Sequence, residues 1–192
     1  MARQQSRMLA LGTAAPGFVL PDAVSGRTIG LEDFASSPAL LVTFICNHCP
    51  FVKYMLDGFV AFAHDYAPQG LAVVAISSND IAAYPEDAPG EMARIAKLKG
   101  FGFPYLYDES QAVAKAYQAA CTPDFFLFGR ERRLAYRGQF DASRPGGKIP
   151  VTGADLRAAA TALLTNRPIA AEQIPSIGCS LKWKAGQEPD WG

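Results

Sequence analysis

The feature that most constrains this chain is seven residues long. Ala39 to Ile45 is a continuous apolar run broken only by Thr43, and Cys46 and Cys49 follow it directly. A short, β-branched run without polar alternation has to be buried on both faces, as a central strand of a parallel sheet is. Parallel strands need a crossover, and one follows. Phe51, Met55, Phe59 and Phe62 recur at helical spacing until Gly70, and Leu71 to Ile76 reads as a second buried strand. This βαβ unit commits the chain to an α/β sheet. It places the cysteine pair at the carboxyl end of a strand, where open α/β sheets gather reactive groups.

The flanking segments extend the same pattern. Phe18-Val19-Leu20 and Thr28-Ile29-Gly30 form a leading hairpin around a turn at Asp22, Ser25 and Gly26, and Leu31 to Phe34 makes one helical turn. Residues 80–90 carry three acids, Pro85, Pro89 and Gly90, and read as a solvated loop; the alternative is that Asp80, Glu86 or Asp87 supplies a proton near the cysteine pair. A short helix over 91–99, a strand at Tyr105-Leu106-Tyr107 and a helix over 111–119 capped by Ser110 come next. Phe125 to Phe128 and Leu134 to Gln139 form an antiparallel hairpin, and an Ala/Leu-rich helix ends near Leu164. Tyr105, Tyr107 and Tyr117 are core material, and His64 is a surface or packed residue. Residues 1–15 read as a loose leader. The expected organisation is one domain over 12–165 and an irregular C-terminal extension over 166–192, packed on or trailing from it, with Trp183 and Trp191 as anchors or Trp191 disordered.

Composition narrows the function. Eighteen Lys+Arg balance eighteen Asp+Glu in 192 residues, so the chain lacks the basic footprint that nucleic acid or an anionic membrane would require. No segment reaches the roughly 18 apolar residues of a membrane span. Met8 to Leu11 is too short for a secretory core, so a cytoplasmic, reducing location is expected. Four cysteines are too few for a disulfide scaffold, and in such a compartment a close pair points to redox or metal chemistry. Structural zinc needs four ligands, and only Cys121, Cys179, His48 and His64 are left to complete a set. Neither a metal nor a cofactor is therefore expected.

Cys46-Asn47-His48-Cys49 at the start of a helix is a dithiol motif. The helix amides and dipole lower a thiol pKa, and His48 adds positive charge when protonated. Pro50 favours the first helical position, which makes Cys49 the cap and the favoured thiolate on that ground. Cys121-Thr122-Pro123-Asp124 precedes the hairpin. A cis Thr122–Pro123 bond there would present backbone to the cysteine loop. Cys121 and Cys179 read either as a second thiol pair or relay for Cys46–Cys49, or as a buried small hydrophobe and an incidental thiol.

Strand-CxxC-helix, β-α-β, then Thr-Pro before a hairpin and a last helix resembles the thioredoxin fold, with an N-terminal hairpin, a mixed central sheet flanked by helices and an irregular tail. Cys46 to Lys53, Cys121 to Phe126, Pro175 to Cys179 and Leu181 to Lys184 narrow the resemblance. They are similar to the peroxiredoxin-like branch of the alkyl hydroperoxide reductase/thiol-specific antioxidant (redoxin) superfamily. That resemblance implies a thiol-disulfide oxidoreductase with Cys46 as outer nucleophile and Cys49 as resolving thiol. It gives Asn47, His48, Thr122 and Pro123 supporting roles, and makes the partner a protein or small-molecule disulfide or thiol. The alternatives are a thiol-dependent peroxidase acting on peroxide as an antioxidant, and a non-catalytic redox-sensing or metal-binding protein. The superfamily's Pro-xxx-Thr/Ser-xx-Cys signature fails in both registers. Val42 and Cys46 stand in it when Cys49 is the reference, and Ala39 and Thr43 when Cys46 is. The buried acid of thioredoxins falls at Leu40. Histidine before the second cysteine resembles oxidising disulfide donors.

Overall fold

The computed structural model describes residues 3–191. Its central sheet has five strands: β4 (Ala39–Phe44), β5 (Leu71–Ser77), β6 (Tyr105–Tyr107), β8 (Asp124–Phe128) and β9 (Leu134–Tyr136), in the order β6-β5-β4-β8-β9. β4, β5 and β6 run parallel, and β8 and β9 add an antiparallel edge. Every residue of β4 is buried, as its unbroken apolarity requires. Its side chains alternate between two cores. Ala39 and Leu41, with Ile45 just past the strand, pack with α1 (Pro50–Tyr66), α2 (Pro89–Lys99) and α4 (Ala154–Leu164). Leu40, Val42 and Phe44 pack on the other face with α3 (Ala112–Ala116) and Tyr117. The leading hairpin, β2 (Val19–Pro21) with β3 (Thr28–Gly30), covers that second face through Phe18 and Leu20.

Two expectations change here. Of the segment read as a loose leader over 1–15, the described part from residue 3 is not loose, because β1 (Arg3–Gln5) pairs antiparallel with β10 (Ile177–Ser180), a strand from the C-terminal tail. β10 pairs on its other side with β7 (Cys121–Thr122), so tail, N-terminus and the Thr-Pro turn form one small sheet. The helix predicted over 111–119 is a single turn. Gln111 sits at its start in the left-handed region, with φ 62, and the Ser110 hydroxyl takes the Ala112 amide at 3.2 Å. Asp108 holds this turn by accepting from Ala114 N and Ser78 Oγ, both at 2.9 Å.

The tail is fastened at several points by paired backbone groups. Asp80 N donates to Lys182 O, Leu181 N to Ala120 O, and Ser6 N to Ser176 O. Asn79 Oδ1 accepts from Lys182 N at 2.8 Å. Trp183 and Trp191 meet edge to face at 6.1 Å, and the Arg7 guanidinium lies 5.1 Å from the Trp191 ring. Among the described residues no helix is long and apolar enough to cross a membrane.

Candidate active site

Three loops meet at the carboxyl end of β4: Ile45 to Cys49, Ser77 to Asn79, and Cys121 to Asp124. Register explains the meeting. Phe44 pairs with Ile76 on one side and with Asp124 on the other, so whatever follows β4 must lie beside whatever precedes β8. The Thr122–Pro123 peptide is cis. Cys46 Sγ lies 3.3 Å from Thr122 Oγ1, and Cys49 Sγ lies 3.1 Å from Thr122 O. The sequence-predicted group of Cys46, Asn47, His48, Cys49, Thr122 and Pro123 therefore comes together around one turn.

Cys49 is the N-cap of α1, with Pro50 in the first helical position. Donation from the Cys46 thiol outweighs burial and brings the Cys49 pKa down to about 5, with Cys179, the Val52 amide and Thr122 adding to it. Cys46 moves the other way. Its hydrogen bond to Cys49, then burial, then the Asp87 carboxylate hold it well above the ordinary thiol value. Of the two, Cys49 is therefore the thiol that ionises first and Cys46 the one that keeps its proton. Both sulfurs are shut from bulk solvent, but Cys46 lines a cavity of about 160 Å³ with Val52, Leu56, Ile95 and Phe101, and with Lys53 and Lys99.

The loop over 80–90 is where the sequence reading fails. Asp87 is not a solvated acid; it is fully buried and clamps the cysteine loop. Its Oδ1 accepts from Asn47 N at 2.7 Å and His48 N at 3.1 Å. Its Oδ2 accepts from Asn79 Nδ2 at 2.8 Å and lies 2.6 Å from His48 Nδ1. Burial pushes this carboxyl up, but the His48 and Asn79 bonds and the Asn47 amide prevail and hold it below the usual carboxylate range. No sequence signal reveals the role, since its partners in the cysteine loop are 39 and 40 residues distant. Asn47 is fixed twice more, by Nδ2 donating to Glu86 O at 2.8 Å and Tyr105 Oη donating to Oδ1 at 3.2 Å. Tyr105 is core material, as read, but its hydroxyl serves this loop.

His48 stacks on Tyr84, with ring centroids 4.7 Å apart. With Nδ1 directed at Asp87, its Nε2 is buried and has no hydrogen-bond partner. Among the described residues one group of metal-ligating side chains comes together: Cys46, His48 and Asp87, whose ligand atoms lie within 4.8 Å of one another. Asp87 is already saturated by four donors, which leaves little ligand capacity there. His64 is remote from this group, with Nε2 2.8 Å from Gly100 O.

A second buried acid escaped the sequence reading. Leu40 occupies the thioredoxin acid's position, and Asp124 supplies a fully buried carboxyl on the neighbouring strand. Burial raises its pKa to about 7 against the bonds from Ser6 and the Ala120 amide. Ser6 Oγ donates to it at 2.6 Å, tying the N-terminal segment to the Thr-Pro turn.

The two remaining cysteines separate. Cys179 Sγ touches Cys49 Sγ at 2.9 Å. Cys121 Sγ instead contacts Pro123 O at 3.5 Å, and burial holds its pKa well up. Gly178 makes the first contact achievable. A Cβ at that position would meet Thr122 O at 2.0 Å and Thr122 C at 2.5 Å, so only glycine lets β10 lie this close to the turn.

A CxxC pair at a helix start, facing a cis Thr-Pro turn on a mixed five-stranded sheet, defines a thioredoxin-like redox protein. The chain belongs to the AhpC/TSA family, whose model matches residues 11–137. It is 53% identical to a conserved protein of Geobacillus kaustophilus over 97% of this chain and 98% of that one, with a TM-score of 0.95. Protein SMc02350 of Sinorhizobium meliloti 1021 is 58% identical, covering 95% and 99%, with a TM-score of 0.93. A thioredoxin-family thiol:disulfide interchange protein of Chlorobium tepidum TLS shares the fold at 17% identity, covering 81% and 98%, with a TM-score of 0.62. No curated protein matches the chain.

Proposed function

We propose that the protein is a thiol-disulfide oxidoreductase in which Cys46 faces the substrate and Cys49 is the stabilised inner thiolate. The observation that carries this reading is the convergence of both sulfurs on Thr122, with Cys46 alone of the pair lining a cavity. Access selects the sulfur that is attacked, and a leaving thiol of lower pKa departs faster. A substrate thiolate entering beside Lys53 and Lys99 attacks the Cys46 sulfur of the oxidised pair, and Cys49 leaves as the thiolate that its surroundings favour. A second substrate thiol then displaces Cys46, so that the substrate is oxidised by two electrons and the pair reduced. Stabilising the reduced form makes the pair an oxidant, a disulfide donor rather than a reductant.

This arrangement retains Cys46 as the substrate-facing cysteine but moves the standing charge to Cys49. The helix start explains the revision. Pro50 takes the first helical position, so the dipole acts on Cys49 rather than on Cys46.

Peroxide reduction at Cys49 is the second reading, and the electrostatics of Cys49 favour it. Cys46 occupies the place of the family's Thr/Ser and is the largest cause of the lowered Cys49 pKa, the part a hydroxyl there would play. The register on Cys46 has no such support, because Thr43 Oγ1 is committed to Asp124 O at 2.9 Å.

The exchange reading is tested by mixing oxidised protein with a reduced dithiol peptide, quenching in acid and counting thiols on both. One disulfide per chain should pass to the peptide, and Cys46→Ser should pass none. A Cys46→Ser variant that oxidises the peptide as fast as wild type would remove Cys46 from the mechanism.

A further inference from the structure

Three sulfurs, not two, meet at this site. Cys179 reaches Cys49 from β10 and does not line the cavity that Cys46 lines. Strand geometry dictates which tail and turn residues face the pair. Side chains alternate across a strand, and directly opposed residues share a face. In the β10–β7 ladder Cys179 opposes Thr122, and Ser180 opposes Cys121. The Thr122 side chain contacts Cys46, so Cys179 shares that face while Cys121 points to the other. Cys179 accordingly packs in the same core as Cys46 and Cys49, and Cys121 does not.

The approach is built into the backbone. Gly178 lets β10 press against the Thr122–Pro123 peptide, Ser176 Oγ donates to Pro123 O at 2.7 Å, and β1 closes the outer edge of β10. The resulting Cys49–Cys179 separation of 2.9 Å is less than 1 Å longer than a disulfide bond of about 2.05 Å.

Resting on the redox activity of Cys46 and Cys49, we propose that Cys179 is a third exchanging thiol, which attacks the Cys49 sulfur of the Cys46–Cys49 disulfide and moves the bond to Cys49–Cys179. The step needs no outside oxidant. The Cys179 sulfur forms a bond to Cys49 as the Cys46–Cys49 bond breaks, and Cys46 departs with the electron pair. The proton lost from Cys179 ends on Cys46, so one disulfide and one thiol are present before and after.

Electrostatics runs with the geometry. Burial first, and then the Cys49 sulfur beside it, push the Cys179 thiol up to about 12 in the reduced protein. Once Cys49 is in a disulfide its charge is gone, while Lys182, whose Nζ donates to Ser180 O at 2.7 Å, still favours a Cys179 thiolate. Cys46 leaves into surroundings where burial and the Asp87 carboxylate still favour its protonated form. The migration returns the substrate-facing cysteine to the thiol state and stores the oxidising equivalent beneath it.

The test is disulfide mapping after oxidation with diamide, with acid quenching, alkylation and mass analysis of peptides. Wild type should yield both Cys46–Cys49 and Cys49–Cys179 peptides. Cys46→Ser should lose two thiols per chain and yield Cys49–Cys179, and Cys46→Ser/Cys179→Ser should lose the link. A Cys46→Ser protein of native circular dichroism that loses at most one thiol, with Cys179 still alkylated, overturns the proposal, as does wild type without any Cys49–Cys179 peptide. Transfer to the dithiol peptide is read on the same wild-type sample. Transfer without the Cys49–Cys179 link defeats the third thiol alone, and the link without transfer defeats the exchange reading alone.

Discussion

Cys49→Ser is expected to reduce disulfide transfer to background, a loss on the order of 10³-fold or more, and to abolish a thiolate that titrates near pH 5. The size follows from the role. Serine at the cap can still hydrogen-bond the first turn, so α1 survives, but no sulfur remains to leave or to resolve. The pH dependence is equally specific. An unperturbed thiol titrates near 8.5, and Cys49 is lowered to about 5 in the fold. Because the folded value is depressed, the reduced protein gains stability that is complete above pH 8.5 and lost as pH falls through 5. At pH 7 the gain is at most about 3 kcal/mol, from two pH units at about 1.4 kcal/mol each. Thiolate absorbance at 240 nm and urea unfolding of reduced wild type and Cys49→Ser at pH 5 and 8 read both effects. The stability difference between the two proteins should grow with pH. A wild-type thiolate that appears only near pH 8 to 9 would contradict the electrostatic reading of the site.

Gly178→Ala carries the largest expected stability effect. Its backbone is not left-handed, so no strain arises from φ; the obstacle is space. A methyl 2.0 Å from Thr122 O meets the backbone of β7, which pairs with β10 and turns through Pro123 into β8, not a flexible side chain that can swing away. Overpacking of this kind costs typically 1–3 kcal/mol, and rigid surroundings favour the upper end. The gain from restricting the unfolded chain, about 0.4–1 kcal/mol, is too small to offset it. A net loss of about 2–3 kcal/mol corresponds to a midpoint lowered by roughly 4–12 °C for a chain of this size. The same shift moves β10 off the Thr122–Pro123 turn, so the Cys49–Cys179 link should fall with it. Thermal unfolding followed by circular dichroism measures the first effect. An unchanged midpoint would mean that β10 does not pack as closely as described.

The sheet and the placement of the cysteine pair were legible because their causes are local. An unbroken apolar run from Ala39 to Ile45 has few ways to be buried, and the helical spacing from Phe51 to Phe62 leaves one crossover. The Cys46–Cys49 motif lies inside that unit, so its position came with the fold. Asp87 was read as solvent-exposed because a Pro-rich acidic segment has that composition. Its burial depends on Asn47, His48 and Asn79, which only the tertiary structure delivers. Asp124 was missed for a related reason, since its carboxyl is buried by register with Phe44 and by Ser6 from the far N-terminus. Gly178 did leave a signal. A glycine between β-branched Ile177 and Cys179 marks close backbone approach, but the sequence does not say to what. The N-terminal strand left none, because Arg3-Gln4-Gln5 is exposed throughout and takes its form from pairing with β10.

The central claim is that Cys46 and Cys49 are a reversible two-electron couple, and equilibration in glutathione redox buffers tests it most directly. Wild type is brought to equilibrium across a range of ratios, quenched in acid and mapped. Two thiols should disappear together, a Cys46–Cys49 disulfide should be mapped alone or beside Cys49–Cys179, and the midpoint should lie above thioredoxin's value of about −270 mV. If no cysteine pair forms across that range, while hydrogen peroxide readily oxidises Cys49 alone to the sulfenic or sulfinic acid, the chain is a peroxidase and the exchange account is wrong.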